Sequence, residues 1–125
     1  MSQRSERFRT ALQDLEGSRD PSMMEPLFTD EAELRRPELD HDRGAAGDVR
    51  AFWKAYLDQF SEIDTEFDTV EESGDLAVLE WTSRGRLAAG RTIDYRGVSV
   101  LRFEGDQVAR FSTFFDTAAF LEPVS

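Results

Sequence analysis

The sequence holds no cysteine, a single histidine (His41) and, among 15 basic residues, a single lysine (Lys54). Without cysteine there is no disulfide, no thiolate zinc site and no cysteine nucleophile. Basic residues are also scarce beside the 26 acidic ones, and the net charge of −11 argues against nucleic acid and anionic membrane as partners, both of which select Lys/Arg surfaces. No apolar run approaches the roughly 18 residues of a membrane-spanning helix, and no charged-then-apolar leader opens the chain. A cytoplasmic protein is therefore expected. The arginine-over-lysine bias fits either a GC-rich genome or a salt-rich cytoplasm, and composition leaves both open.

What is present fits one domain, residues 1–125, long enough to bury a continuous core. Phe8, Ala11, Leu12 and Leu15 recur at helical spacing and Gly17 ends the pattern. Asp20-Pro21 has the cap-then-proline order of a helix start, leading a short second helix that turns Met24, Leu27 and Phe28 inward. An extended piece, 32–37, and a loop, 38–47, follow. The third helix has the strongest pattern: Val49, Phe52, Trp53, Tyr56, Leu57 and Phe60 form one apolar stripe behind the capping carboxylate of Asp48.

The period then changes from 3.6 to 2. Ile63 and Phe67 alternate with acidic residues, and further strands run over 76–86, 92–103 and 108–116, separated by Gly74-Asp75, a loop over 85–90, and Gly105-Asp106. Helices first and strands afterwards predict an α+β fold with an antiparallel meander. In the last two strands both faces read as apolar, with Val98, Val100, Phe111 and Phe115 on one side and Leu101, Phe103 and Phe114 on the other. Three helices cover one face only, so the side bearing Val98, Val100, Phe111 and Phe115 is expected to pair two copies in a homodimer.

The ordered set of Leu27-Phe28-Thr29-Asp30-Glu31-Ala32 before Pro37, Gly47 leading into Ala51-Phe52-Trp53, Gly74-Asp75 with Trp81, Tyr95-Arg96-Gly97-Val98 into Leu101-Arg102-Phe103, and Phe114-Phe115-Asp116 resembles the SnoaL-like (polyketide cyclase-like) group of the nuclear transport factor 2-like superfamily. The resemblance spans almost the whole chain. It implies a cone-shaped curved antiparallel sheet wrapped by three N-terminal helices, with an interior pocket for a small apolar or aromatic organic molecule, and no metal or cofactor. Ketosteroid isomerases of that superfamily use an Asp base with a Tyr and a protonated Asp as oxyanion hole. The matching positions here are Arg36, Leu12 and Ser99, which removes that chemistry. SnoaL-like cyclases carry an acid–base Asp at the position of Asp116, and a dry pocket would raise such a carboxyl toward working pH.

Each candidate has a structural alternative. Asp116 acts as acid–base, lines the pocket, or caps the turn into Thr117-Ala118-Ala119-Phe120. Arg36 pairs with Asp116, anchors a ligand carboxylate, or faces water at the mouth. His41, within Asp40-His41-Asp42, is a rim contact or an exposed loop residue, since one histidine beside two neighbours makes a poor metal site. Trp53, Tyr56 and Trp81 stack on a flat ligand or pack the core. Tyr95 is placed near the entrance, and Ser99, Ser112 and Phe114 share the concave side with Asp116 by alternation. The two functional readings are a cofactor-free cyclase, isomerase or hydrolase working through Asp116, and a non-catalytic ligand-binding or interaction module. A limonene-epoxide-hydrolase-like reaction would need a third member beside Arg36 and Asp116, and the sequence offers none.

Overall fold

The computed structural model describes residues 3–36 and 48–120. Helix α1 (Gln3–Ser18) leads through a 3-10 helix (Pro21–Leu27) into strand β1 (Phe28–Arg35). Helix α2 (Val49–Asp58) precedes β2 (Phe60–Ser73), β3 (Leu76–Leu87), β4 (Thr92–Glu104), β5 (Gln107–Phe115) and a 3-10 turn (Thr117–Phe120). The sheet order is β1-β5-β4-β3-β2. It is an α+β fold in which three helices pack on one face of a five-stranded sheet. Among the described residues no helix is long and apolar enough to cross a membrane.

Local chemistry accounts for the boundaries. The Asp20 carboxylate accepts from Ser22 N (3.0 Å) and Asp48 from Ala51 N (3.1 Å), so both helix starts use the acceptors the sequence offered. Gly74 and Gly105 take positive φ in the two hairpin turns, as their positions predict. The meander is antiparallel, but β1 runs parallel to β5 and makes the sheet mixed, because β1 reaches it from the far side of the 3-10 helix. The middle helix is 3-10, with Pro26 inside it, and Phe28 opens β1 instead of closing a helix.

Helix α1 runs one residue past Gly17. The left-handed position after it falls to Arg19 (φ 60°), a conformation that costs a side-chain-bearing residue energy. The geometry is held from outside: the Arg19 guanidinium donates to the carbonyls of Leu57 (2.9 Å), Phe60 (2.7 Å) and Ser61 (3.3 Å). These carbonyls lie where α2 ends and β2 begins. One side chain thus locks the end of α1 to the α2–β2 junction.

β4 presents the faces expected of it, with Val98 and Val100 outward, but the faces of β5 are exchanged, for one reason. The register shifts by a residue between Arg102 and Phe103, so Phe103 opposes Val108 while Leu101 opposes Phe111 and Val100 opposes Ser112. A simple two-residue hairpin would have set Val100 against Phe111. The bulge turns every later β5 side chain over. Phe111 and Phe115 therefore lie on the concave side, and Ser112 and Phe114 on the convex side, where Phe114 is 41% exposed beside Val98. The outer apolar patch consists of Val78, Val98, Val100 and Phe114, without Phe111 or Phe115.

Arg19 separates backbone strain from side-chain bonding. Arg19→Ala and Arg19→Gly both lose the guanidinium, and glycine alone relieves the left-handed strain. Arg19→Gly is expected to be the more stable of the two by about 1 kcal/mol in urea unfolding. Equal stabilities would show that the position carries no strain.

A small cavity between two aromatic clusters

The core divides in two. The larger cluster joins α1, α2, β1 and the far end of the sheet through Phe8, Leu15, Met24, Trp53, Leu101 and Phe111. The smaller holds Phe60, Ile63, Trp81, Ile93 and Tyr95, with Phe115 and Phe120 packed against it. A cavity lies where the two meet. Its walls are Phe8, Leu12, Trp53 and Phe111 from the first cluster and Trp81 and Tyr95 from the second, with Thr65, Ser83, Ser99 and Thr113 supplying hydroxyls. Arg36, Phe52, Tyr56, Gln59 and Phe115, all partly exposed, complete the lining. The free space is about 40 Å³, room for roughly three waters at 10–15 Å³ each.

Backbone choices build this wall. A Cβ on Gly97 would sit 2.4 Å from the Trp81 ring, so glycine there lets the indole lie flat across β4. So placed, Trp81 Nε1 donates to Ser99 Oγ (2.9 Å), and Ser99 shares a hydrogen bond with Thr113 Oγ1 (2.9 Å). Trp53, 3% exposed, has an indole N–H without a hydrogen-bond partner among the described residues. The Arg36 guanidinium lies 5.1 Å from the centre of the Phe52 ring, within cation–π range.

Behind the opposite wall is a buried carboxyl. Glu16, 6% exposed, accepts from Thr65 N (2.8 Å), from Thr65 Oγ1 (2.6 Å) and from the Tyr56 hydroxyl. Thr65 Oγ1 also meets Ser83 Oγ (2.7 Å). Burial raises the Glu16 pKa above the ordinary carboxylate value, and the bonds from Thr65 and Tyr56 oppose that rise. The Tyr56 hydroxyl is pushed well up by burial and then by the Glu16 charge, and Tyr95 is pushed up for the same two causes. Both phenols are therefore neutral hydrogen-bonding groups at neutral pH.

The residues singled out in the sequence separate into two sets. Arg36, Trp53, Tyr56, Trp81 and Ser99 come together around the cavity. Ser112 and Phe114 do not, having turned to the convex face with the bulge. Asp116 follows β5 with its side chain exposed; its Oδ1 accepts from Ala118 N (3.0 Å), and its carbonyl from Ala119 N (3.2 Å). It is a cap on the terminal turn and is not among the cavity-lining residues. No ion pair joins it to Arg36 among the described residues. His41 lies outside the described residues. Tyr95, expected near the entrance, is 5% exposed and deep in the wall. Glu16, Thr65, Ser83 and Thr113 were missed. The available signal was Glu16 itself, an acidic residue directly after Leu15 on the buried stripe of α1.

The comparisons agree with this architecture. The family model described as a SnoaL-like domain matches residues 6–111. A search of curated proteins returned no match. Among solved structures, an NTF2-like protein of unknown function from Burkholderia pseudomallei is similar with a TM-score of 0.79 at 22% identity, covering 96% of this chain and 95% of that one. TsrD from Streptomyces laurentii gives 0.76 at 18% identity, over 96% and 94% of the two chains. An LEH-like epoxide hydrolase from M. tuberculosis gives 0.68 at 10% identity, over 88% and 80%. At these identities the structures bear on the fold alone.

The buried carboxyl has a measurable signature. A carboxyl that keeps its proton to higher pH when folded binds more protons folded than unfolded. Its contribution therefore falls as pH rises from the unfolded value, about 4.3, through the raised folded one. Relative to Glu16→Gln, the wild type is expected to lose unfolding free energy across that window in urea titrations. A difference that grows with pH would show that the Thr65 and Tyr56 bonds outweigh desolvation.

Proposed function

The chain belongs to the SnoaL-like domain family, and from that membership and the cavity between its two aromatic clusters we propose that it binds a small, largely apolar organic molecule without a metal or cofactor. One observation carries this reading: aromatic rings enclose a free space that paired hydroxyls also line, and one lining residue, Trp53, holds a buried indole N–H without a partner among the described residues. Apolar walls with a few fixed polar groups are the composition of a ligand site. The free space is well below the few hundred Å³ of a drug-sized pocket, so entry displaces the partly exposed side chains of the lining, Phe52 and Phe115 foremost. Arg36, in the same lining, is placed to meet an acidic or carbonyl substituent.

The role of Asp116 follows from its position. An acid–base carboxyl needs the dry setting that raises its pKa, and Asp116 sits in solvent with an oxygen engaged in capping. Ligand binding without turnover at Asp116 is therefore favoured over the cyclase reading. In calorimetric titrations with small aromatic ketones, Thr113→Leu fills the free space and is expected to weaken binding at least tenfold, whereas Asp116→Asn stays within about twofold and loses about 1 kcal/mol of stability with its cap. Loss of binding in Asp116→Asn would return that residue to the site.

We further propose that the convex patch pairs two copies. Val78, Val98, Val100 and Phe114 form an apolar centre, with Glu80 on β3 and Arg96, Arg102 and Arg110 on β4 and β5 around it, an arrangement a two-fold axis can make complementary. Wild type is expected to sediment at twice 14.3 kDa and Val100→Arg at the monomer mass. A monomeric wild type would remove the interface.

A further inference from the structure

The hydrogen bonds around the cavity have a direction set by counting protons. With Glu16 ionised, the Thr65 hydroxyl gives its one proton to the carboxylate, so in its contact with Ser83 it accepts, and Ser83 gives its own proton to Thr65. Tyr56 gives its proton to the same carboxylate. Tyr56, Thr65 and Ser83 all line the cavity, and none has a proton left to offer it. Apart from the Tyr95 hydroxyl, which pairs with Ser83, this wall presents acceptors.

The other wall is the reverse. Trp81 donates to Ser99, and Ser99 and Thr113 share one bond. Two hydroxyl protons serve one contact, so one remains for the cavity whichever way that bond runs. The N–H of Trp53, a lining residue on α2, has no partner among the described residues. This wall presents donors. We propose, resting on the ligand-binding reading above, that the cavity is polarised and takes a hydroxy-carbonyl compound: its hydroxyl donates to the Tyr56–Ser83 wall, and its carbonyl accepts from the Ser99–Thr113 wall.

Glu16 sets this polarity without touching the ligand, which makes it a positioning residue. In Glu16→Gln the amide oxygen must face the Thr65 backbone N–H, because an amide NH2 there would oppose a donor. The NH2 then points at Thr65 Oγ1 and Tyr56 Oη. Both hydroxyls become acceptors toward position 16 and turn their protons the other way, Tyr56 toward the cavity and Thr65 toward Ser83. A substitution that conserves shape thus converts the acceptor wall into a donor wall.

The test uses the full chain and two probes of nearly equal size, 4-hydroxybenzaldehyde and 4-fluorobenzaldehyde, titrated by calorimetry. Wild type is expected to prefer the hydroxy compound about tenfold, the equivalent of one hydrogen bond near 1.4 kcal/mol. Glu16→Gln is expected to erase or invert that preference. Tyr56→Phe, which removes one acceptor and leaves the Glu16–Thr65 bonds in place, is expected to reduce it and covers the case in which the Gln variant does not fold. Equal wild-type affinities, or a preference that survives in the folded variants, would overturn the polarity and leave the cavity as a ligand site. Failure of both probes to bind wild type would overturn the ligand-binding reading and this inference together.

Discussion

The Glu16 carboxyl is the joint of this protein. It belongs to α1, takes a hydroxyl from α2 through Tyr56, and takes both a backbone N–H and a hydroxyl from β2 through Thr65. A buried carboxylate is costly unless its lone pairs are filled, and here three donors from two other elements fill them. The arrangement holds only while α1, α2 and β2 keep their positions. Arg19, three residues on, gives its guanidinium to the carbonyls of the same α2–β2 junction. Between them the two residues lock the helical layer onto the edge of the sheet.

That locking explains why a cavity persists. Helices free to settle would close the gap between the two aromatic clusters, since dispersion and hydrophobic terms both favour contact. Held by polar bonds of defined length, the helices leave a space that hydroxyls line. The hydroxyls are paired across strands, Ser99 with Thr113 and Thr65 with Ser83, so each pair holds its own geometry while a proton of the Ser99–Thr113 pair stays uncommitted. Gly97 completes the set by giving Trp81 a flat bed.

Legibility from sequence tracked the range of the physics involved. Caps at Asp20 and Asp48, the glycine turns at Gly74 and Gly105 and the stripe of α2 from Val49 to Leu57 depend on residues a few positions apart and read correctly, whereas Phe60, expected to end that stripe, opens β2. The parallel pairing of β1 with β5 depends on residues some eighty positions apart and did not. The faces of β4 read correctly; those of β5 failed on a single bulge, which moved Phe111 and Phe115 inward and Ser112 and Phe114 to the convex side. The resemblance places Asp116 in the pocket and alternation carries Ser112 and Phe114 with it, and alternation holds no information on register.

By itself the sequence determined the element types, the α+β class, the family resemblance and the aromatic stock of the cavity, because periodicity, capping and ring content are local properties. Only the tertiary structure decided which aromatics face inward, that the terminal carboxylate is a cap, and that a glutamate on the first helix sits at the centre of the polar network. Burial and hydrogen-bond direction belong to pairs of groups, and residues 16, 56 and 65 become a group only when three elements are brought against each other.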